Sequence, residues 1–138
     1  MKMKTVTASK NPDKFRAMVT EVLQNRLYVS GWCMSHDLVR ARASTDYGGN
    51  DMDYHLVVGY NDSKPIALGF ALEYTDESAP YFEIQHFTKK SERRKGLGQK
   101  ISKKVNKIVN GRRFTFGCGV KGSLNFFNKM YYNDKVDK

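Results

Sequence analysis

The stretch Lys89-Lys90-Ser91-Glu92-Arg93-Arg94-Lys95-Gly96-Leu97-Gly98-Gln99-Lys100 decides how the chain is read. An apolar segment, Tyr81 to Thr88, runs into it as a strand. Beyond it Leu97, Ile101, Val105, Ile108 and Val109 recur at helical spacing, which predicts a helix over 97–109 stopped by Asn110-Gly111. Strand, basic glycine loop and helix in that order build an anion cradle. The first N–H groups of a helix have no partner within it, and the dipole is positive there. Glycine lets the backbone come close to a phosphate. Arg93, Arg94 and Lys95 add attraction and possible side-chain contacts. The spacing is not that of the nucleotide-hydrolase loop, Gly-x-x-x-x-Gly-Lys-Ser/Thr. Nor is it the dinucleotide fingerprint, Gly-x-Gly-x-x-Gly.

Upstream, two more strands are expected at 55–60 and 66–74, joined by the turn residues Asn61-Asp62-Ser63-Lys64-Pro65. With 81–88 they read as antiparallel sheet. Residues 4–9 alternate weakly and fit a short edge strand. Asn11-Pro12-Asp13 is helix-start chemistry, and Phe15, Met18, Val19, Val22, Leu23 and Leu27 follow at helical spacing, predicting a helix over 12–28. Trp32, Met34 and Leu38 suit a second short helix. Residues 46–54 read as an acidic, tyrosine-bearing loop. Downstream, 114–118 reads as a strand and 123–132 as a last helix. The element order predicts an α/β fold of the α+β layer type, in one domain spanning 1–138.

The whole chain has 138 residues and a net charge of +10. Residues 89–113 hold eleven Lys/Arg and one acid, Glu92, so this segment alone accounts for the net charge. The rest of the chain balances to zero. One polyanion-binding site is the natural reading of such clustering. No apolar run reaches the roughly 18 residues of a membrane span, and the first residues lack the apolar stretch of a signal peptide. The two cysteines, Cys33 and Cys118, are too few for a disulfide scaffold and suit a reducing, cytoplasmic setting. With three histidines and no Cys-x-x-Cys spacing, no metal site is expected. Ser35-His36-Asp37 is not a triad, because adjacent residues do not converge on one proton path.

Arg93-Arg94-Lys95-Gly96-Leu97-Gly98 resembles the pyrophosphate loop of the GNAT family of acyl-CoA-dependent N-acetyltransferases, Gln/Arg-x-x-Gly-x-Gly/Ala. The strands before it and the helix after it match that context. Ser123 to Tyr132 is similar to a degenerate form of the family's late-helix pattern. The resemblance implies a mixed, mainly antiparallel central sheet flanked by helices. Only Asn133 to Lys138 follow Tyr132, so the closing hairpin usual in the family is expected to be shortened, and a homodimer would close that wall.

The same resemblance implies acetyl-CoA as acyl donor, with no metal, and transfer of its acetyl group to a primary amine by direct attack in a ternary complex. Cofactor-binding residues would be Phe87, Thr88, Arg93, Arg94, Lys95, Gly96, Leu97, Gly98 and Gln99, with Asn125 and Phe127 on the late helix. Lys89 and Lys90 would assist the 3′-phosphate. The strand ending at Phe87-Thr88 and the strand at 114–118 would splay to admit the thioester. Glu83 is the expected base, with His86 and Glu73 as the alternatives. The usual family glutamate sits one position earlier relative to the loop, where this chain has Phe82. Phe127 occupies the place of the family's acid tyrosine, which leaves Tyr131 or Tyr132, or solvent, to protonate the thiolate. Asp46, Asp51, Asp53 and Glu73 would border the acceptor amine, which could be a small molecule, a protein or aminoacyl-tRNA. Lys100, Lys103, Lys104, Lys107, Arg112 and Arg113 exceed what coenzyme A needs. They motivate an alternative, a catalytically inactive GNAT-like module that grips nucleic acid or a protein partner.

Overall fold

A computed structural model describes residues 1–28, 33–47, 52–75 and 81–117, and the side chains of 33 and 45–47 lie outside that description. Its elements are β1 (Lys2–Thr7), α1 (Pro12–Gln24), α2 (Cys33–Tyr47), β2 (Met52–Asn61), β3 (Lys64–Tyr74), β4 (Tyr81–Thr88), a short 3-10 turn (Lys90–Glu92), α3 (Leu97–Val109) and β5 (Arg113–Phe116). The sheet order is β1-β2-β3-β4-β5. Every neighbouring pair is antiparallel except β4 and β5, which are parallel across the α3 crossover. The mixed α+β class, with a mainly antiparallel sheet between helices, is the one expected.

Two apolar layers sandwich the sheet. On one face, Phe15, Met18, Val19 and Val22 of α1 and Met34, Leu38 and Ala41 of α2 pack on Leu56, Val58, Leu68 and Phe70. On the other, Ile101, Val105 and Val109 of α3 pack on Val57, Ala67, Ala71, Phe82 and Ile84. Strands covered on both faces read as near-continuous apolar runs, and β2 and β3 do so. Their hairpin turns on Asp62 and Ser63, both at positive φ (51 and 67°), the backbone of a tight two-residue connection.

Several boundaries move. α1 ends at Gln24, not at 28. Arg26 is left-handed (φ 54°), its N–H donates to Leu23 O, and the Leu27 N–H donates to Val22 O. That is a Schellman stop. Leu27 keeps the helical spacing because it folds back into the core, 1% exposed, as the apolar residue after the cap. α2 is a full helix of 15 residues. The expected loop over 46–54 is divided between the end of α2 and the start of β2, both outside its middle. β1 starts and ends two residues earlier than expected, and β5 is Arg113–Phe116. α3 matches its predicted span. The expected helix over 123–132, with Asn125, Phe127, Tyr131 and Tyr132, lies outside the described residues, as do Asp51 and Cys118.

Candidate active site

The loop between β4 and α3 is built as its residues suggest. Gly96 is the N-cap residue of α3, left-handed at φ 77°, and contributes no side-chain cap. The first helical bond is Lys100 N–H to Gly96 O (3.2 Å). Helix geometry therefore leaves the N–H groups of Leu97, Gly98 and Gln99 for an outside acceptor. No acidic residue stands in the first turn. Nothing lies within 4 Å of where a Cβ on Gly96 would be, so the cradle is open at its narrowest residue. Arg93 turns back, its Nε donating to Thr88 O (2.9 Å), with its guanidinium over the Phe87 ring. Lys95 pairs with Glu92 (2.8 Å). Arg94, itself left-handed at φ 66°, is exposed. These residues fit a pyrophosphate: backbone donors, a positive dipole end and an exposed cation, with Glu92 already tied to Lys95.

Leading to that cradle is a fork. β4 pairs with β3 along its whole length, from Tyr74↔Tyr81 to Ala67↔Thr88. With β5 it pairs only over Tyr81 to Ile84, and the last bond is Gly117 N–H to Ile84 O (3.0 Å). Among the described residues, no strand pairs with 85–88 on that side. Four residues of β4 thus run free of β5 towards the loop.

At the fork, alternation along β4 decides which side chains meet. Phe82 and Ile84 face α3. Glu83 and Gln85 face the α1/α2 side, where Gln85 Nε2 donates to Glu83 Oε2 (3.1 Å) and to Asp37 Oδ2 of α2 (2.8 Å). Gly117 makes room for Glu83: a Cβ there would lie 2.7 Å from the carboxylate carbon. Tyr74 stacks on Tyr81 with centroids 4.6 Å apart. Its phenol pKa is raised by burial and by the charges of Glu83 and Asp37, so it stays a donor.

The other expected residues lie elsewhere. His86 is on the α3 face, beside Gly69, and burial pushes its pKa down to about 3. Its imidazole is neutral at pH 7. Asp53 and Glu73 are cross-strand partners on the α3 face. Glu73 accepts from His55 Nε2 (2.7 Å) and approaches Arg112 (3.6 Å), while Asp53 accepts from the Ser9 N–H and hydroxyl (3.1 and 2.6 Å). His55 also meets Thr7 Oγ1 (2.9 Å). Asp53, His55 and Glu73 bring ligand-type atoms within 4.8 Å of one another, but each already serves this network. The structure does not bring this group together with Glu83. Asp46 is near the end of α2. Asp37, Gln85 and Tyr74 were not singled out from sequence. The available signal was an acid beside Leu38 on a helix whose Met34, Leu38 and Ala41 are apolar and buried.

His86 carries a testable pH dependence. Its folded pKa lies below the unfolded value of 6.5, so the unfolded chain binds the proton first on acidification. The stability contribution is complete above about 6.5 and is lost as pH falls towards about 3. By pH 4 the loss is roughly 3 kcal/mol. Urea titrations of wild type and His86→Leu at pH 7 and pH 4 should differ by that amount in their acid loss; equal losses would remove the argument.

No family model matches the chain, and no curated protein sequence is detectably similar to it. Solved structures are informative. A predicted acetyltransferase from Clostridium acetobutylicum, determined with acetyl-CoA, superposes with a TM-score of 0.57 at 12% identity, covering 94% of this chain and 89% of that one. The aminoglycoside 6'-N-acetyltransferase of Acinetobacter haemolyticus gives 0.58 at 13% identity, over 95% and 90%. A GNAT family acetyltransferase from Staphylococcus aureus gives 0.50 at 19%, over 88% and 90%. The fold is that of the GNAT acetyltransferases. The likeness is one of fold, at 12–19% identity. Among the described residues, no helix is long and apolar enough to cross a membrane.

Proposed function

We propose that the chain is an acetyl-CoA-dependent N-acetyltransferase acting on a primary amine. The observation that carries this reading is the β4–β5 fork, which opens between an anion cradle at Gly96 and a carboxylate at Glu83. The Leu97, Gly98 and Gln99 N–H groups and Arg94 would hold the pyrophosphate, and the free edge of β4 at 85–88 would pair with the pantetheine arm. Bound acetyl-CoA supplies an activated thioester carbon. The amine nitrogen forms the new N–C bond as the C–S bond breaks. Glu83 accepts the N–H proton, and the bonding electrons leave on sulfur. The thiolate is protonated by Tyr131 or Tyr132, or by water. Tyr74, protonated and near Glu83, joins those candidates.

Calorimetry with acetyl-CoA and the full chain tests the cradle. Gly96→Trp puts a side chain at a left-handed residue and into the phosphate path, and should weaken affinity about tenfold or more. Unchanged affinity in that variant, or no binding by wild type at hundreds of micromolar, would sink the reading.

A second reading rests on a different observation. Lys100, Lys103, Lys104 and Lys107 are all exposed on α3, and none is in an ion pair among the described residues. Such a face suits a nucleic-acid backbone. Steeply salt-dependent RNA affinity without thiol release from acetyl-CoA would favour a binding module over an enzyme.

A further inference from the structure

The α1/α2 face of the fork holds an arrangement that acetyl transfer alone does not require. Gln85 is fully buried. A carboxylate can only accept, so the contacts to Asp37 and Glu83 fix the amide with its NH2 end towards the acids. Among the described residues, Oε1 of the same amide is then left buried there without a hydrogen-bond partner. A buried carbonyl oxygen in that state is rare and costly, and it calls for an N–H or O–H donor, from water or from a bound ligand.

The two acids are also short of a partner. Asp37 and Glu83 sit within 2.8 and 3.1 Å of one nitrogen, and neither forms an ion pair among the described residues. Both are partly exposed, so a solute can reach them. The Tyr74–Tyr81 stack stands beside them, with the Arg113 guanidinium over the Tyr81 ring (5.6 Å) and the Tyr74 ring next to Glu83. The α3 lysines do not neutralise this pair, because their helix packs on the opposite face of the sheet.

A single ammonium between two carboxylates would hold its proton tightly. That suits capture and opposes reaction, since a neutral amine must attack. Two nitrogens remove the conflict. We infer that Asp37, Gln85 and Glu83 form a site for a diamine, an acceptor with a second ammonium group a few bonds from the amine that is acetylated. Asp37 holds the permanent ammonium. Gln85 Oε1 accepts an N–H from the acceptor. Glu83 is left to take the proton of the attacking nitrogen. Asp37 and Gln85 are positioning residues in this scheme, which rests on the acetyl-transfer reading for the fate of the second nitrogen.

Calorimetry with the full chain and coenzyme A separates the two ideas, using 1,3-diaminopropane and propylamine as probes. The diamine is expected to bind about tenfold tighter or more, since it gains a paired charge. Asp37→Asn should weaken the diamine more than propylamine and bring the two affinities close together. Equal binding of the two amines by wild type overturns the site, and so does an Asp37→Asn variant that weakens both alike. If that variant melts early, the wild-type comparison decides alone. Thiol release from acetyl-CoA is read separately. Selective diamine binding with no thiol release from any amine refutes the transferase and leaves the site standing. Thiol release with equal kcat/KM for the two amines refutes the site and leaves the transferase standing.

Discussion

Glu83→Gln is expected to lower kcat/KM for acetyl transfer by about a hundredfold or more, the usual contribution of a positioned base, while coenzyme A affinity stays unchanged. The two halves of that expectation come from different places. Glutamine keeps the size of the side chain and can still accept from Gln85 Nε2, so the cluster with Asp37 is retained. It cannot take a proton at neutral pH. The pyrophosphate cradle at Gly96 lies at the far end of β4 and is built from backbone, so it is not disturbed. Steady-state rates with a saturating amine, next to calorimetry with coenzyme A, check both halves. Full activity in Glu83→Gln would move the base elsewhere. His86 is then a poor replacement, since it faces α3 and burial keeps it neutral with little affinity for a proton. A loss of coenzyme A binding along with rate would instead indicate that the fork itself had collapsed.

Parity explains why Glu83 can be the base although the family position falls on Phe82. One residue along a strand reverses the face. Phe82 points into the α3 layer and is fully buried, so an acid there would be held in apolar surroundings. Glu83 points to the side where Gly117 leaves room and where α2 contributes Asp37. Sequence alone cannot fix this, because alternation says only that 82 and 83 differ in face. It does not say which layer holds the acceptor.

The same distinction separates what was legible from what was not. α3 and its loop were readable because their determinants are local: a glycine N-cap, an apolar stripe, an Asn-Gly stop. The three central strands were readable from continuous apolar runs. Spacing overextends α1 because Leu27 keeps the helical period after the chain has already reversed at Arg26. The local triplet Ser35-His36-Asp37 makes no triad and gives Asp37 no role that the sequence can show. Its partner, Gln85, is 48 residues away. Asp53 and Glu73 looked suitable for a cationic acceptor by charge, yet a two-stranded register pairs them on the α3 face with His55 and Arg112. Charge is a property of the residue, and its meaning is a property of the layer.

Gly69→Val should cost about 3 kcal/mol or more, at or beyond the upper end of overpacking. Gly69 lies in the middle of β3, between Val57 and His86 in register. A Cβ there would fall 2.7 Å from Val105 Cγ2 and 2.8 Å from Ile101 Cγ2, and valine adds two methyl groups beyond it. Neither neighbour can step aside, because both are branched at Cβ and buried against the sheet, 0% and 1% exposed. The helix must move instead. α3 carries Gly96 at its start, so a displaced helix also displaces the cradle from the end of β4, and coenzyme A affinity should fall with stability. Urea titration reads the first effect, and calorimetry on the folded protein at low temperature reads the second. A compensating pair distinguishes crowding from other causes. Gly69→Ala alone should destabilise by about 1–2 kcal/mol, and Val105→Ala alone by about 2–3 kcal/mol as a cavity. Together they should cost less than their sum, because each supplies the volume that the other lacks. Strict additivity would mean that α3 does not seat on Gly69, and the route from this glycine to the phosphate loop would be lost with it.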